Sequence, residues 1–89
     1  MSAVENDQRK FDITVIYNGV SKALAVNIEQ AIQAVLQHAI ALFGSLPNPH
    51  TLALFSESGA ELADNIHVRD AGVVAGARLL LRPSAVRGG

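Results

Sequence analysis

Cysteine is absent from the chain, which excludes a disulfide framework, a thiolate zinc site and a cysteine nucleophile. Lysine is scarce: Lys10 and Lys22 are the only two, and no basic run exists to hold the chain to an anionic membrane. Charged residues make up 17% with a net charge of -1, so the electrostatic footprint of a nucleic-acid-binding protein is missing. No stretch approaches the roughly 18 apolar residues of a spanning helix. The polar start "MSAVENDQRK" lacks the apolar core of a signal peptide. His38, His50 and His67 are dispersed, and His38 is placed near the end of a helix, where the dipole accounts for it. No metal-ligand spacing, phosphate loop, dinucleotide fingerprint or GxSxG elbow is present. These absences predict a cytoplasmic protein with no catalytic residues, metal or cofactor, and no nucleic-acid or membrane partner.

What the chain does have is core material. Its 89 residues are 49% hydrophobic, enough for one folded domain with a modest core. "FDITVIY" alternates Phe11, Ile13, Val15 and Tyr17 on one face, the period of a strand. Asn18-Gly19 follows, a pair suited to positive φ and hence to a two-residue hairpin turn. The return segment "VSKALAV" would then set Leu24 opposite Ile13 and Val26 opposite Phe11, so the apolar faces coincide. Next, Ile28, Ile32, Val35, Leu36, Ala39 and Phe43 form a helical stripe. Asn27 and Gln30 have capping-box spacing, and Gly44 suits the left-handed residue past the helix end.

"SLPNPH" is turn material, and "TLALF" reads as a short strand with Leu52 and Leu54 on one side. "SESG" turns the chain, "AELAD" adds a brief extended piece, and "NIHVRDAGVVAGA" is a long looping connection. "RLLLR" is the last strand, with Leu79 and Leu81 inward and Arg78, Leu80 and Arg82 outward; Pro83 marks where pairing stops. A helix and a sheet that bury each other's apolar faces make a two-layer α+β domain. This order predicts a β-grasp: a mixed four- to five-stranded sheet packed on one helix, over residues 11–82. Residues 1–10 read as a flexible arm and residues 83–89 as a flexible tail.

The order of elements and the ending "RGG" together resemble ubiquitin-like proteins over residues 11–89. The "NG" hairpin before a helix matches their opening. Gly59, Leu62, Asp64, Val68 and Asp70 stand at positions of their turn motifs, and Arg87-Gly88-Gly89 stands where ubiquitin carries Arg-Gly-Gly. Two closing glycines arise by chance in about one chain in 200, so the specific signal is their coupling to this order of strands. Pro83, Ser84, Ala85 and Val86 depart from ubiquitin's alternating leucine and arginine, which implies dedicated partner enzymes. Ubiquitin's chain-forming lysines are absent.

The resemblance implies a protein modifier. An activating enzyme would adenylate the Gly89 carboxylate with ATP, a conjugating enzyme would pass it to amines of a target protein, and a deconjugating protease would reverse the bond. Glycine at the last two positions admits backbone to a narrow channel, since no Cβ obstructs it. Gly88, Arg87 and Arg82 are the expected recognition residues, while Phe55, Leu80 and Arg78 are the candidate partner patch. Low lysine and high alanine suggest a bacterial source, which points to modifier operons, some of them serving anti-phage defence. The same fold and ending also suit a sulfur carrier with a C-terminal thiocarboxylate, and a noncovalent β-grasp adaptor would need neither.

Overall fold

A computed structural model of the chain describes residues 10–44 and 46–84. The first nine residues of the expected arm and residues 85–89 of the expected tail lie outside them. Strands β1 (Lys10–Tyr17) and β2 (Val20–Asn27) precede helix α1 (Ile32–Phe43), a single 3-10 turn (Pro49–Thr51), β3 (Leu52–Phe55) and β4 (Arg78–Pro83). The sheet order is β2-β1-β4-β3. β4 runs parallel to β1, and the other two pairings are antiparallel. One helix on a mixed four-stranded sheet is the expected α+β arrangement.

The hairpin follows its turn chemistry. Asn18 and Gly19 take φ of 52° and 84°, the left-handed pair whose twist matches the flanking strands. That turn fixes Ile13 opposite Leu24 and Phe11 opposite Val26, as the apolar pattern requires. Lys10 belongs to the sheet rather than to an arm, because it pairs with Asn27. Ile13, Val15, Leu54 and Leu81 are each no more than 1% exposed and meet Ile32, Val35, Leu36 and Ala39 of the helix in one cluster. Burying a side chain of this size contributes about 1.5–3 kcal/mol.

The helix begins four residues later than its stripe suggests. The Asn27 N–H does donate to Gln30 Oε1 at 2.8 Å, and the Glu29 N–H donates to Asn27 Oδ1 at 2.8 Å, but these bonds close a turn ahead of the helix. Ile28 and Gln30 instead offer their carbonyls to the N–H groups of Arg69 and Val68, at 3.1 and 2.8 Å. Ala31 occupies the N-cap with no side-chain bond. The first helical donors are met by the returning loop: the Ile32 N–H donates to the Ile66 carbonyl at 2.8 Å, and Gln33 to that of Asp64 at 3.1 Å. Backbone carbonyls thus satisfy the orphan amides that a capping side chain would otherwise take. Gly44 ends the helix at φ 88°. His38 therefore lies mid-helix and exposed, away from the helix end assumed for it.

In the long connection, Leu62, Val68 and Val73 are buried, so the loop closes the core from the side. The brief strand at "AELAD" reduces to one bridge between Phe55 and Glu61. β4 continues through Pro83, which sits opposite Leu52. The Ser84 N–H donates to the Thr51 carbonyl at 2.9 Å, and alternation along an antiparallel ladder makes Pro83 a non-hydrogen-bonded position toward β3. Its missing donor faces the side where the β1 register has already ended at Ile16–Leu80. Among the described residues, the strands thus run from Lys10 to Pro83, one residue beyond each of the expected bounds 11 and 82.

Candidate functional site

Strand alternation sends every second residue of the sheet away from the helix. On this outer face the register sets Ile16 of β1 beside Leu80 of β4, and Leu80 beside Phe55 of β3. The three side chains cross the sheet as one apolar row, each half-buried. The structure therefore brings together Phe55 and Leu80 of the expected patch. Arg78 shares their face two residues along β4, where its Nε lies 3.9 Å from Glu57 Oε2. That exposed pair is worth little energetically, so Arg78 keeps its freedom to meet a partner.

Two more residues join the patch: Arg82, already expected on the outward face of β4, and Ile16, which the strand pattern had not singled out. Arg82, expected to act with the tail, lies on the sheet with its guanidinium carbon 5.4 Å from the Phe55 ring centroid, within cation–π range. It projects above Ala53, its partner in register, which is fully buried. Ile16 was overlooked because Phe11, Ile13, Val15 and Tyr17 already accounted for β1 as a one-sided strand. The unbroken apolar run Val15-Ile16-Tyr17 was the available signal, since a solvated face needs no isoleucine there.

The second element of the site is Ser84, the last described residue. Ser84 is 2% exposed, and its hydroxyl donates to Glu61, at 2.9 Å from Oε1 and 3.1 Å from Oε2. With its N–H on Thr51, Ser84 is held against β3 from two directions. Arg87, Gly88 and Gly89 follow outside the described residues. From Ser84 to Gly89 a fully extended chain reaches at most about 16–18 Å.

Among the described residues, no three histidine or acidic side chains converge to hold a metal ion. His67 Nδ1 stands 3.9 Å from Asp70 Oδ2 with both side chains exposed, and His50 is exposed in the 3-10 turn. A shallow cleft between the end of β2 and the following turn is lined by Lys10, Ala25, Val26, Asn27, Glu29 and Gln30. It gathers no set of groups suited to acid–base or nucleophilic work. No helix among the described residues is long and apolar enough to cross a membrane.

Comparison with known proteins adds the fold by name. No protein-family model matches the sequence, and no curated protein matches it. Solved structures do. A de novo protein designed on ubiquitin superposes with a TM-score of 0.75 at 17% identity, covering 86% of this chain and 92% of that one. The N-terminal ubiquitin-like domain of the 4931431F19Rik protein gives 0.72 at 13%, covering 86% and 77%. The ubiquitin-like domain of Arabidopsis thaliana protein At2g32350 gives 0.70 at 20%, covering 89% and 83%. At such identities the likeness is one of fold: a ubiquitin-like β-grasp.

Proposed function

We propose that this chain is a ubiquitin-like protein modifier whose Gly89 carboxylate, native or freed by a protease, is the acyl donor. The observation that carries the reading is a conjunction. A ubiquitin-like body pins Ser84, its last described residue, at the rim of the sheet, and the sequence then runs within five residues to Arg87-Gly88-Gly89. A carboxylate is a poor electrophile. An activating enzyme converts it to an acyl-adenylate with release of pyrophosphate, and the acyl group then passes, by way of enzyme thioesters and a conjugating enzyme, to a target amine, with release of AMP and a proton overall. The body contributes no catalytic group. It is gripped, through Ile16, Phe55, Leu80 and the flanking arginines, while the glycines enter the partner's channel.

The low lysine and high alanine content fit a bacterial source, and the resemblance to ubiquitin-like modifiers then suggests a conjugation operon, in some cases one serving anti-phage defence. Incubation with such activating and conjugating enzymes and ATP yields a mass-shifted adduct. Deleting Gly89 abolishes that adduct while leaving the unfolding curve unchanged, and adducts that survive the deletion overturn the reading. A gain of about 16 Da on the free protein, sulfur replacing oxygen, would instead identify a sulfur carrier.

One observation favours a second reading. The neighbours from 4931431F19Rik and At2g32350 are both ubiquitin-like domains of their proteins, and the same fold here would serve as a noncovalent docking module. An adaptor would keep its partner after removal of Arg87-Gly88-Gly89, and would lose it on substitution of Leu80.

A further inference from the structure

Among the described residues, the hairpin leaves β2 without an outer neighbour. In the order β2-β1-β4-β3, β2 is an edge, and among the described residues nothing pairs with its outer side. The two-residue turn makes Tyr17 and Val20 a hydrogen-bonded pair, so Val20, Lys22, Leu24 and Val26 turn their peptide groups toward β1. The same alternation sends those of Asp12 and Thr14 toward the β4 side of the sheet. The structure agrees: the Gly76 N–H donates to the Asp12 carbonyl at 2.9 Å, and the Thr14 N–H donates to the Ala77 carbonyl at 2.8 Å. Ser21, Ala23, Ala25 and Asn27 consequently point their peptide groups outward.

Asn27 is already engaged. Its N–H donates to Gln30 Oε1 at 2.8 Å and its carbonyl accepts the Gln30 N–H at 3.0 Å. The open stretch is therefore 20–26, bounded by the turn at Gly19 and the closed position at Asn27. Native edges are usually blunted by proline, lysine, bulges or brevity. β2 is eight residues long, with no proline and an unbroken register. Its one lysine is folded back over the helix end: Lys22 Nζ donates to the Leu42 carbonyl at 3.4 Å and lies 5.4 Å from the Phe43 ring centroid.

We propose that β2 is a self-association edge, at which two copies pair β2 against β2, antiparallel, about a two-fold axis through Ala23. The midpoint of the open stretch is Ala23 itself, so this register uses every outward peptide group between the two bounds. It sets Ala23 opposite Ala23 and Ser21 opposite Ala25, small residues that meet without obstruction on the outer face. On the other face Lys22 meets Leu24, and Val20, which is 51% exposed, meets Val26. No like charges are placed in register, and a net charge of -1 gives little repulsion between copies. The stretch offers no row of charge to select a foreign peptide, whereas a copy of itself satisfies it from end to end. An isologous contact of this kind closes on itself as a dimer. It joins the sheets at the edge away from β3 and Ser84, so it stands independently of the Gly89 reading.

Because the chain has no cysteine, a single introduced thiol reports on the axis in the full-length protein. A hydrogen-bonded pair sets its Cα atoms about 5.5 Å apart, within disulfide reach. Under mild oxidation Ala23→Cys is expected to form covalent dimers at least about tenfold faster than Ser21→Cys or Ala25→Cys, which face each other rather than themselves. Sedimentation of the wild-type chain should show dimers by a concentration on the order of 1 mM. Ala23→Pro, whose lost N–H faces outward and spares the β1 ladder, should abolish them while the circular dichroism spectrum is retained. Equal crosslinking at all three positions overturns the proposal, as does a chain that stays monomeric throughout, including one whose edge is occupied only by an extended segment of another protein.

Discussion

The two faces of the sheet are made by the same strands and behave differently. Toward the helix, Ile13, Val15, Leu79, Leu81, Leu52 and Leu54 are all 3% exposed or less. On the other side Ile16, Leu80 and Phe55 form a half-buried row fringed by Arg78 and Arg82. Leu80 and Leu81 are adjacent leucines in "RLLLR", yet one lies in a dry interior and the other at an interface with water. Hydrophobicity alone does not assign a role; register does, because period-two alternation decides which leucine meets the helix. The inner face holds the domain together, and the outer face carries the row that the proposed function assigns to a partner.

The contrast is most directly challenged by substituting the two leucines in turn. Leu81→Ala should cost about 2–5 kcal/mol in urea unfolding, whereas Leu80→Ala should cost under about 1 kcal/mol by the same measurement, since it leaves no closed cavity. Comparable losses would erase the distinction between the faces. The outer face has its own readout: Leu80→Ala should slow formation of the Gly89 adduct about tenfold, equivalent to roughly 1.4 kcal/mol, with the melting temperature little changed. At the rim where the faces meet, Ser84→Ala removes the hydroxyl donor to Glu61, with an expected loss of about 1 kcal/mol. The smallest effect belongs to Arg82→Ala, about 0.5–1 kcal/mol from the Phe55 ring contact; salt titration of unfolding would show whether that contact is electrostatic.

Features set by neighbouring residues were legible from the sequence. The Asn18-Gly19 turn fixed the hairpin register, and the leucine alternation sorted the faces of β3 and β4. Features decided across the chain were harder. The capping-box pair Asn27 and Gln30 makes the expected bonds, but the carbonyls of Ile28 and Gln30 are claimed by Val68 and Arg69, which holds that segment out of the helix. Pro83 suggested an ending because the pairing partner that tolerates it, Leu52, is remote in sequence. Within the candidate patch, Leu80 and Arg82 followed from alternation along β4 and Phe55 from the resemblance, while Ile16 needed the parallel register of β1 and β4 to be placed beside them.

The borrowed cap on the helix has a consequence of its own. A segment of this length is marginal in water when excised, and here its opening amides find acceptors only once the distant loop has come home. The start of the helix is therefore expected to be completed only when that loop docks. Its formation is tied to ring closure over much of the polypeptide, and a disturbance near Asp64 or Ile66 would be felt as unwinding beneath the sheet.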